Sequence, residues 1–265
     1  MNTQRLQVSM LQVDIQIGQP DKNFQRISEQ LHSAVSGAIK PDVILLPEMW
    51  NTGYALDHIH LLADNQGVRT KKLISDFCKE HAVNIIAGSI ADRMDGEVRN
   101  TMYVFDRTGA VVADYSKIHL FRLMSEEKYL VAGDHLGQFE LEGVSAGMMI
   151  CYDIRFPELT RKLALGGAKV LFISAEWPKP RLQHWRTLLT ARAIENQMYI
   201  VACNRVGVSD GTEFFGHSMI IDPWGEIIVE ADEEESIVTA ELNLVLVDQV
   251  RERIPIFEDR RPKFY

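Results

Sequence analysis

The sequence predicts an α/β fold built as a pseudo-symmetric pair of sheets with helices outside. Strand-like and helix-like stretches alternate along the N-terminal part of the chain at the spacing of a layered α/β protein. Further on, two hairpin-like segments read as copies of each other, which implies two related halves. No Gly/Ser-rich stretch suggests a linker, so residues 1–265 are expected to form one domain.

Each element follows from local pattern. Leu6, Val8, Met10 and Gln12 alternate as a strand does, and Asp21 offers a cap to a helix running to about Ser36. Val43-Ile44-Leu45-Leu46 is continuously apolar, the mark of a strand buried on both faces. A helix is expected over about Lys71–His81, with Cys78 on the face of Ile74, Phe77 and His81, and then a strand over Asn84–Ile90. The two hairpins are Met102–Phe105 turning through Asp106-Arg107-Thr108-Gly109, and Met219–Ile221 turning through Asp222-Pro223-Trp224-Gly225. Asp first and Gly fourth suit type I turns. Between them, Gly166-Gly167 reads as a helix end and Leu182–Gln197 as a helix with an apolar stripe. Tyr199–Cys203 reads as a buried strand. The tail from about Arg253 to Tyr265 is too broken by Pro255 and Pro262 for a helix, yet apolar enough to dock on a partner subunit.

Composition bounds the function. The formal net charge of −9 argues against nucleic acid, whose phosphates want a basic surface. No stretch has the length of a membrane span, and the N-terminus lacks the apolar core of a signal peptide. Three cysteines give no disulfide framework and suit a reducing cytoplasm. There is no phosphate-binding glycine motif, and His58-Ile59-His60 has no accompanying ligand pattern, so neither cofactor nor metal is expected.

The chemistry centres on Cys151. The apolar run Ala146–Ile150 stops at this cysteine, and Pro157 marks the start of a helix just beyond. A strand-to-helix turn lifts a nucleophile out of a sheet, and the helix N–H groups ahead of it favour a thiolate. Such a thiol needs a base and a group to stabilise an oxyanion. His119, His184 and His217 are in neutral settings. Glu48 ends the buried strand in Leu45-Leu46-Pro47-Glu48, at the edge where α/β sheets place their chemistry, and burial there suits a general base. Lys117, amid the apolar residues of Tyr115–Phe121, offers a positive charge.

These three segments, in the order Glu, Lys, Cys, resemble the nitrilase (carbon–nitrogen hydrolase) superfamily over nearly the whole chain. The resemblance implies a four-layer α-β-β-α sandwich that dimerises. It also implies that Cys151 attacks an amide carbon, with Glu48 as general base, and that Lys117 and the Tyr152 backbone N–H hold the oxyanion. A second glutamate would be Glu126, or Glu127. The stretch Ile173–Pro178, with His184-Trp185 and Ala191–Asn196, is similar to the Nit-type, ω-amidase-like branch associated in bacteria with methionine salvage. That branch implies a small carboxylate-bearing amide such as 2-oxoglutaramate as substrate. Arg155 or Arg181 would receive the carboxylate, although Arg155 could instead pair with Asp153 or Glu158. Tyr54 and Trp177 would wall the pocket. An N-carbamoyl-amino-acid or deaminated-glutathione hydrolase is the alternative within this chemistry. A non-catalytic interaction protein is the alternative outside it.

Overall fold

Strands that are apolar on both faces organise the computed structural model, which describes residues 5–264. The N-terminal part contributes β1 (Arg5–Gln12), β2 (Val43–Leu45), β3 (Asp64–Asn65), β4 (Asn84–Met94), β5 (Glu97–Phe105) and β6 (Val111–Ser116). It also holds helices α1 (Pro20–Val35), α2 (Ile59–Leu62) and α3 (Val68–His81). There follow β7 (Gln138–Leu141), β8 (Val144–Ile150), α4 (Pro157–Leu165), β9 (Val170–Ala175), α5 (Leu182–Asn196) and β10 (Tyr199–Asn204). The chain ends with β11 (Val206–Ser209), β12 (Thr212–Phe215), β13 (Met219–Ile221), β14 (Ile227–Glu230), β15 (Ser236–Asn243) and α6 (Val245–Arg253).

Apart from the small β11–β12 hairpin, the strands form two matching sheets. The first has the order β15-β1-β2-β4-β5-β6, with β3 beside β4, and the second β14-β13-β10-β9-β8-β7. In each, three parallel strands are flanked by one antiparallel strand on one side and a hairpin on the other. β1, β2 and β4 lie between β15 and the β5–β6 hairpin. β8, β9 and β10 lie between β7 and the β13–β14 hairpin. The doubled hairpin of the sequence is therefore a real structural repeat, and the last strand, β15, completes the first half.

Alternation along β2 shows the layering. Val43 and Leu45 join the core between the sheets, while Ile44 and Leu46 join Phe24, Ile27 and Leu31 of α1 and Phe77 of α3 on the outer face. Each such side chain contributes about 1.5–3 kcal/mol on burial. α4 and α5 cover the second sheet through Leu159, Leu163, Trp185 and Leu189. The result is the α-β-β-α sandwich expected of the sequence.

Some boundaries differ from the sequence reading. α1 begins at Pro20 with Gln19 before it, so Asp21 lies in the first turn and favours the helix dipole instead of capping it. α3 starts at Val68, ahead of Lys71, and β4 runs to Met94 because Asp95-Gly96, both at positive φ, closes a two-residue hairpin. Residues 245–253 form a helix that the sequence reading did not assign, and the tail begins where it ends. Its described part carries one short 3₁₀ turn, Pro262–Phe264, and Tyr265 lies outside the described residues. Among the described residues no helix is long and apolar enough to cross a membrane.

Candidate active site

The C-terminal edges of β2 in the first sheet and of β8 and β9 in the second deliver one buried cluster. Glu48 follows β2 and is fully buried. Its Oε1 accepts hydrogen bonds from Tyr54 Oη (2.5 Å), Asn100 Nδ2 (2.8 Å) and Lys117 Nζ (2.9 Å). Its Oε2 accepts from the Glu176 backbone N–H at 2.8 Å. Lys117, just past β6, also donates to Glu126 Oε1 at 2.8 Å. Burial alone would strip its charge, but the Glu48 and Glu126 carboxylates outweigh that and hold the ammonium well above its ordinary range. Burial also pushes the Glu126 carboxyl up, against the pull of Lys117. Glu127 is exposed, so of the two sequence candidates only Glu126 reaches the cluster.

Cys151 is buried at the end of β8 and has φ of +45°, the left-handed region that side chains avoid. It opens a 3₁₀ turn, Cys151–Arg155, before α4. The thiolate-favouring setting expected from the sequence is not what the fold builds. Burial first, and then the Glu48 charge, push the thiol well above its ordinary range, and Lys117 only partly opposes them. Cys151 thus rests as a protonated thiol beside an acceptor, not as a free thiolate.

Asp153 anchors this turn. It accepts from the Ile150 N–H (3.1 Å), Tyr115 Oη (2.8 Å) and the His119 N–H (3.0 Å), tying the Cys151 turn to the segment that carries Lys117. His119 is engaged there, with Nδ1 at 2.8 Å from Asp153 and its ring stacked on Phe156. His184 lies beside Arg155 and His217 beside Glu230, so each of these three histidines is engaged elsewhere.

A cleft opens over Cys151. Tyr54, Tyr152, Arg155, Trp177 and Arg181 all line it, so every sequence candidate for the pocket is at its wall. Tyr54 does more than wall it, since its hydroxyl joins the Glu48 cluster, where burial pushes the phenol well above its ordinary range. Among the described residues Arg155 pairs with neither Asp153 nor Glu158. Its guanidinium lies 4.7 Å from the Trp177 ring centre, and Arg181 makes no ion pair either. Arg181 is close enough for its charge to weaken the proton hold of Arg155, although burial is the larger cause. Two cations without carboxylate partners thus face one cleft. Among the described residues no group of His, Cys, Asp or Glu could hold a metal ion, and the His58-Ile59-His60 segment belongs to no such group.

The family follows from comparison with known proteins. The family model described as carbon-nitrogen hydrolase matches residues 7–252. The chain belongs to the carbon-nitrogen hydrolase family. It is 48% identical to the 2-oxoglutaramate amidase of Bacillus subtilis (strain 168), over 97% of this chain and 98% of that one. Omega-amidase YafV of Escherichia coli (strain K12) is 35% identical over 96% of both chains. Among solved structures, XC1258 of Xanthomonas campestris superposes with a TM-score of 0.90 at 29% identity, covering 97% of each chain. It is a CN-hydrolase superfamily protein solved with an arsenic adduct in its active site. These likenesses show an amidase-type enzyme, as the sequence implies.

This carbon-nitrogen hydrolase also uses residues that sequence reasoning did not single out. Asn100 holds Glu48 from β5, and Phe121, Met124 and Pro178 complete the cleft. Glu176 is the more telling omission. It ends the apolar strand β9 just as Glu48 ends β2, so the strand-end rule that found one could have found the other. Arg205, fully buried, carries no local signal, since its partners Asp14 and Glu176 are distant in sequence.

Proposed function

We propose that this enzyme is an ω-amidase that hydrolyses 2-oxoglutaramate to 2-oxoglutarate and ammonia through a thioester on Cys151. The observation that carries this reading is the unequal loading of Glu48. Oε1 is held by three donors, whereas Oε2 has one backbone N–H and keeps room for a proton. Oε2 therefore takes the thiol proton as Sγ attacks the amide carbon, and Lys117 with the Tyr152 N–H receives the oxyanion. The C–N bond breaks, and Glu48 returns the proton to the leaving nitrogen, releasing ammonia. Water then gives a proton to Glu48 and attacks the thioester, and the C–S bond breaks to leave the acid and restore the thiol. The second carboxylate, Glu126, keeps Lys117 charged and aimed.

Substrate choice rests on Arg155 and Arg181, whose unpaired guanidiniums suit a carboxylate at the far end of the amide. The likeness to proteins named 2-oxoglutaramate amidase and omega-amidase supports the same substrate class. We place the enzyme in the cytoplasm, which suits its three buried free cysteines, and in methionine salvage, as its sequence resemblance implies. Ammonia release from a panel of 2-oxoglutaramate, 2-oxosuccinamate, glutamine, a carbamoyl amino acid, deaminated glutathione and a nitrile tests the reading, with Cys151→Ala alongside. Fast release from the oxo-acid amides, lost in Cys151→Ala, is expected. Turnover retained by Cys151→Ala would sink the mechanism, and silence on both oxo-acid amides would sink the substrate.

A further inference from the structure

Glu176 is a buried carboxyl that the proposed reaction steps do not use, yet it touches both the base and the cleft. It is 2% exposed, lines the cleft over Cys151, and donates its backbone N–H to Glu48 Oε2 at 2.8 Å. That N–H is the one donor on the oxygen assigned above to proton transfer. Its own side chain is gripped by Arg205, whose Nη1 reaches Glu176 Oε2 at 3.2 Å. Arg205 in turn holds Asp14 Oδ1 and the Ile15 carbonyl, each at 2.8 Å from Nη2, in the segment after β1. The arginine thus straps the end of β9, in one sheet, to the other sheet, which carries Glu48.

We propose that Glu176 is a positioning residue for Glu48, held in place by Arg205 and working as a neutral acid in the wall of the substrate cleft. The inference rests on the reading of Glu48 as general base. A flexible strand end would let the Glu176 N–H drift, and Oε2 would lose its fixed direction toward the thiol and the leaving nitrogen. Neutrality follows from the surroundings. Among the described residues Oε1 of Glu176 has no hydrogen-bond partner, an arrangement that penalises an anion far more than an acid. The charged groups that bear on it are Arg205, Glu48 and Lys117, with Asp14 behind Arg205 already sharing its positive charge. Tyr54, Glu126, Cys151, Tyr152, Arg155 and Arg181 share its cleft. Burial outweighs the two cations, and the Glu176 carboxyl is pushed up to about 8. Below that pH Glu176 adds no negative charge beside Arg155 and Arg181 and a carboxylate substrate is tolerated, whereas above it a new negative charge opposes one.

Steady-state kinetics on 2-oxoglutaramate across the neutral and alkaline range separates these roles. Glu176→Ala releases the grip of Arg205, so kcat falls by about tenfold or more while KM changes by less than about threefold. Glu176→Gln keeps an oxygen for Arg205 and returns kcat at neutral pH to within about threefold of wild type. In the wild type KM rises as pH passes about 8, and in Glu176→Gln it stays flat over the same range. Wild-type kcat in a folded Glu176→Ala enzyme overturns the proposal, as does a KM rise that survives in Glu176→Gln. If Glu176→Ala fails to fold by circular dichroism, the Glu176→Gln profile alone decides. Glu48→Gln, run in parallel, keeps the two readings apart. An active Glu48→Gln enzyme sinks the general base itself, whereas an inactive one beside a fully active Glu176→Ala sinks only the positioning role.

Discussion

Cys151 combines two unfavourable features, a left-handed backbone and a thiol denied both solvent and a net positive neighbourhood. Such strain costs about 1–3 kcal/mol and persists only where surrounding contacts impose it. Here Asp153 imposes it, since a single carboxylate collects donors from β8, β6 and the segment after Lys117. In the proposed mechanism the thiol stays protonated until substrate arrives, when the proton and the developing charge would find Glu48 and Lys117 already in place. The same scale governs the proposed recognition of a carboxylate by Arg155 at the cleft wall. Arg155 lies over Trp177 and has no carboxylate partner among the described residues. Arg155→Leu is therefore expected to lower kcat/KM for 2-oxoglutaramate by about 10- to 100-fold, the worth of one charge-assisted contact. A short uncharged amide should be affected far less. Equal losses on both amides would show that Arg155 holds the cleft's shape and not the carboxylate.

Glu48 owes its position to a bulge in the neighbouring strand. The β4–β5 register shifts between Ile86 and Ser89, and Gly88 there has φ of +60°. A side chain at Gly88 would meet the Pro47 carbonyl oxygen at 2.2 Å, so the backbone preceding Glu48 passes directly over this residue. Ser89 then fixes the segment, donating its N–H to the Pro47 carbonyl (3.1 Å) and accepting the Met49 N–H on its hydroxyl (3.0 Å). Trp50 closes the turn with its indole N–H on the Ala87 carbonyl at 2.7 Å. Gly88→Ala meets fixed backbone and a disfavoured φ together, and is expected to destabilise the fold by about 3 kcal/mol. Activity per folded molecule should fall as well, because the clash displaces Pro47 and with it Glu48. A denaturation midpoint and kcat within error of wild type would show that β4 absorbs the change without moving the base.

At the scale of the whole molecule, the buried Glu48–Lys117–Cys151 cluster sits where two copies of one plan meet. Each sheet sends the ends of its parallel strands to the same edge, so Glu48 from one half and Cys151 and Glu176 from the other converge without a dedicated loop. The Ser174 hydroxyl, 2.7 Å from the Leu46 carbonyl, is one of the bonds that lock the halves together beneath the site. The outer face around α5 carries apolar residues still in contact with water. Ile194 is 51% and Trp224 38% exposed, and the Asp222–Gly225 turn that carries Trp224 packs on Ile194, since a Cβ on Gly225 would lie 2.5 Å from it. We propose that this face joins two copies of the chain. A solution mass near twice 30.1 kDa is expected by light scattering, shifting toward the single chain in Ile194→Asp. A wild-type mass of one chain would refute the dimer.

The elements legible in the sequence were those whose pattern is local. Both-face apolarity marked β2, a 3.6-residue period marked α5, and Asp-first, Gly-fourth turns marked the paired hairpins. The same local reading placed Glu48 and Cys151 at strand ends, and resemblance placed Lys117 with them. It passed over the Asp95-Gly96 hairpin and the α6 helix, although the first has a plain turn signature. What the tertiary structure alone decided is electrostatic. Whether Cys151 rests as thiol or thiolate, which oxygen of Glu48 is free, and that Glu126 and not Glu127 meets Lys117 all depend on which charges burial brings within a few ångströms. Residues as far apart in sequence as Asp14 and Arg205 set those distances. A chain carries its hydrophobic periods in neighbouring residues, but Coulomb interactions and desolvation act through space, and only folding determines that space.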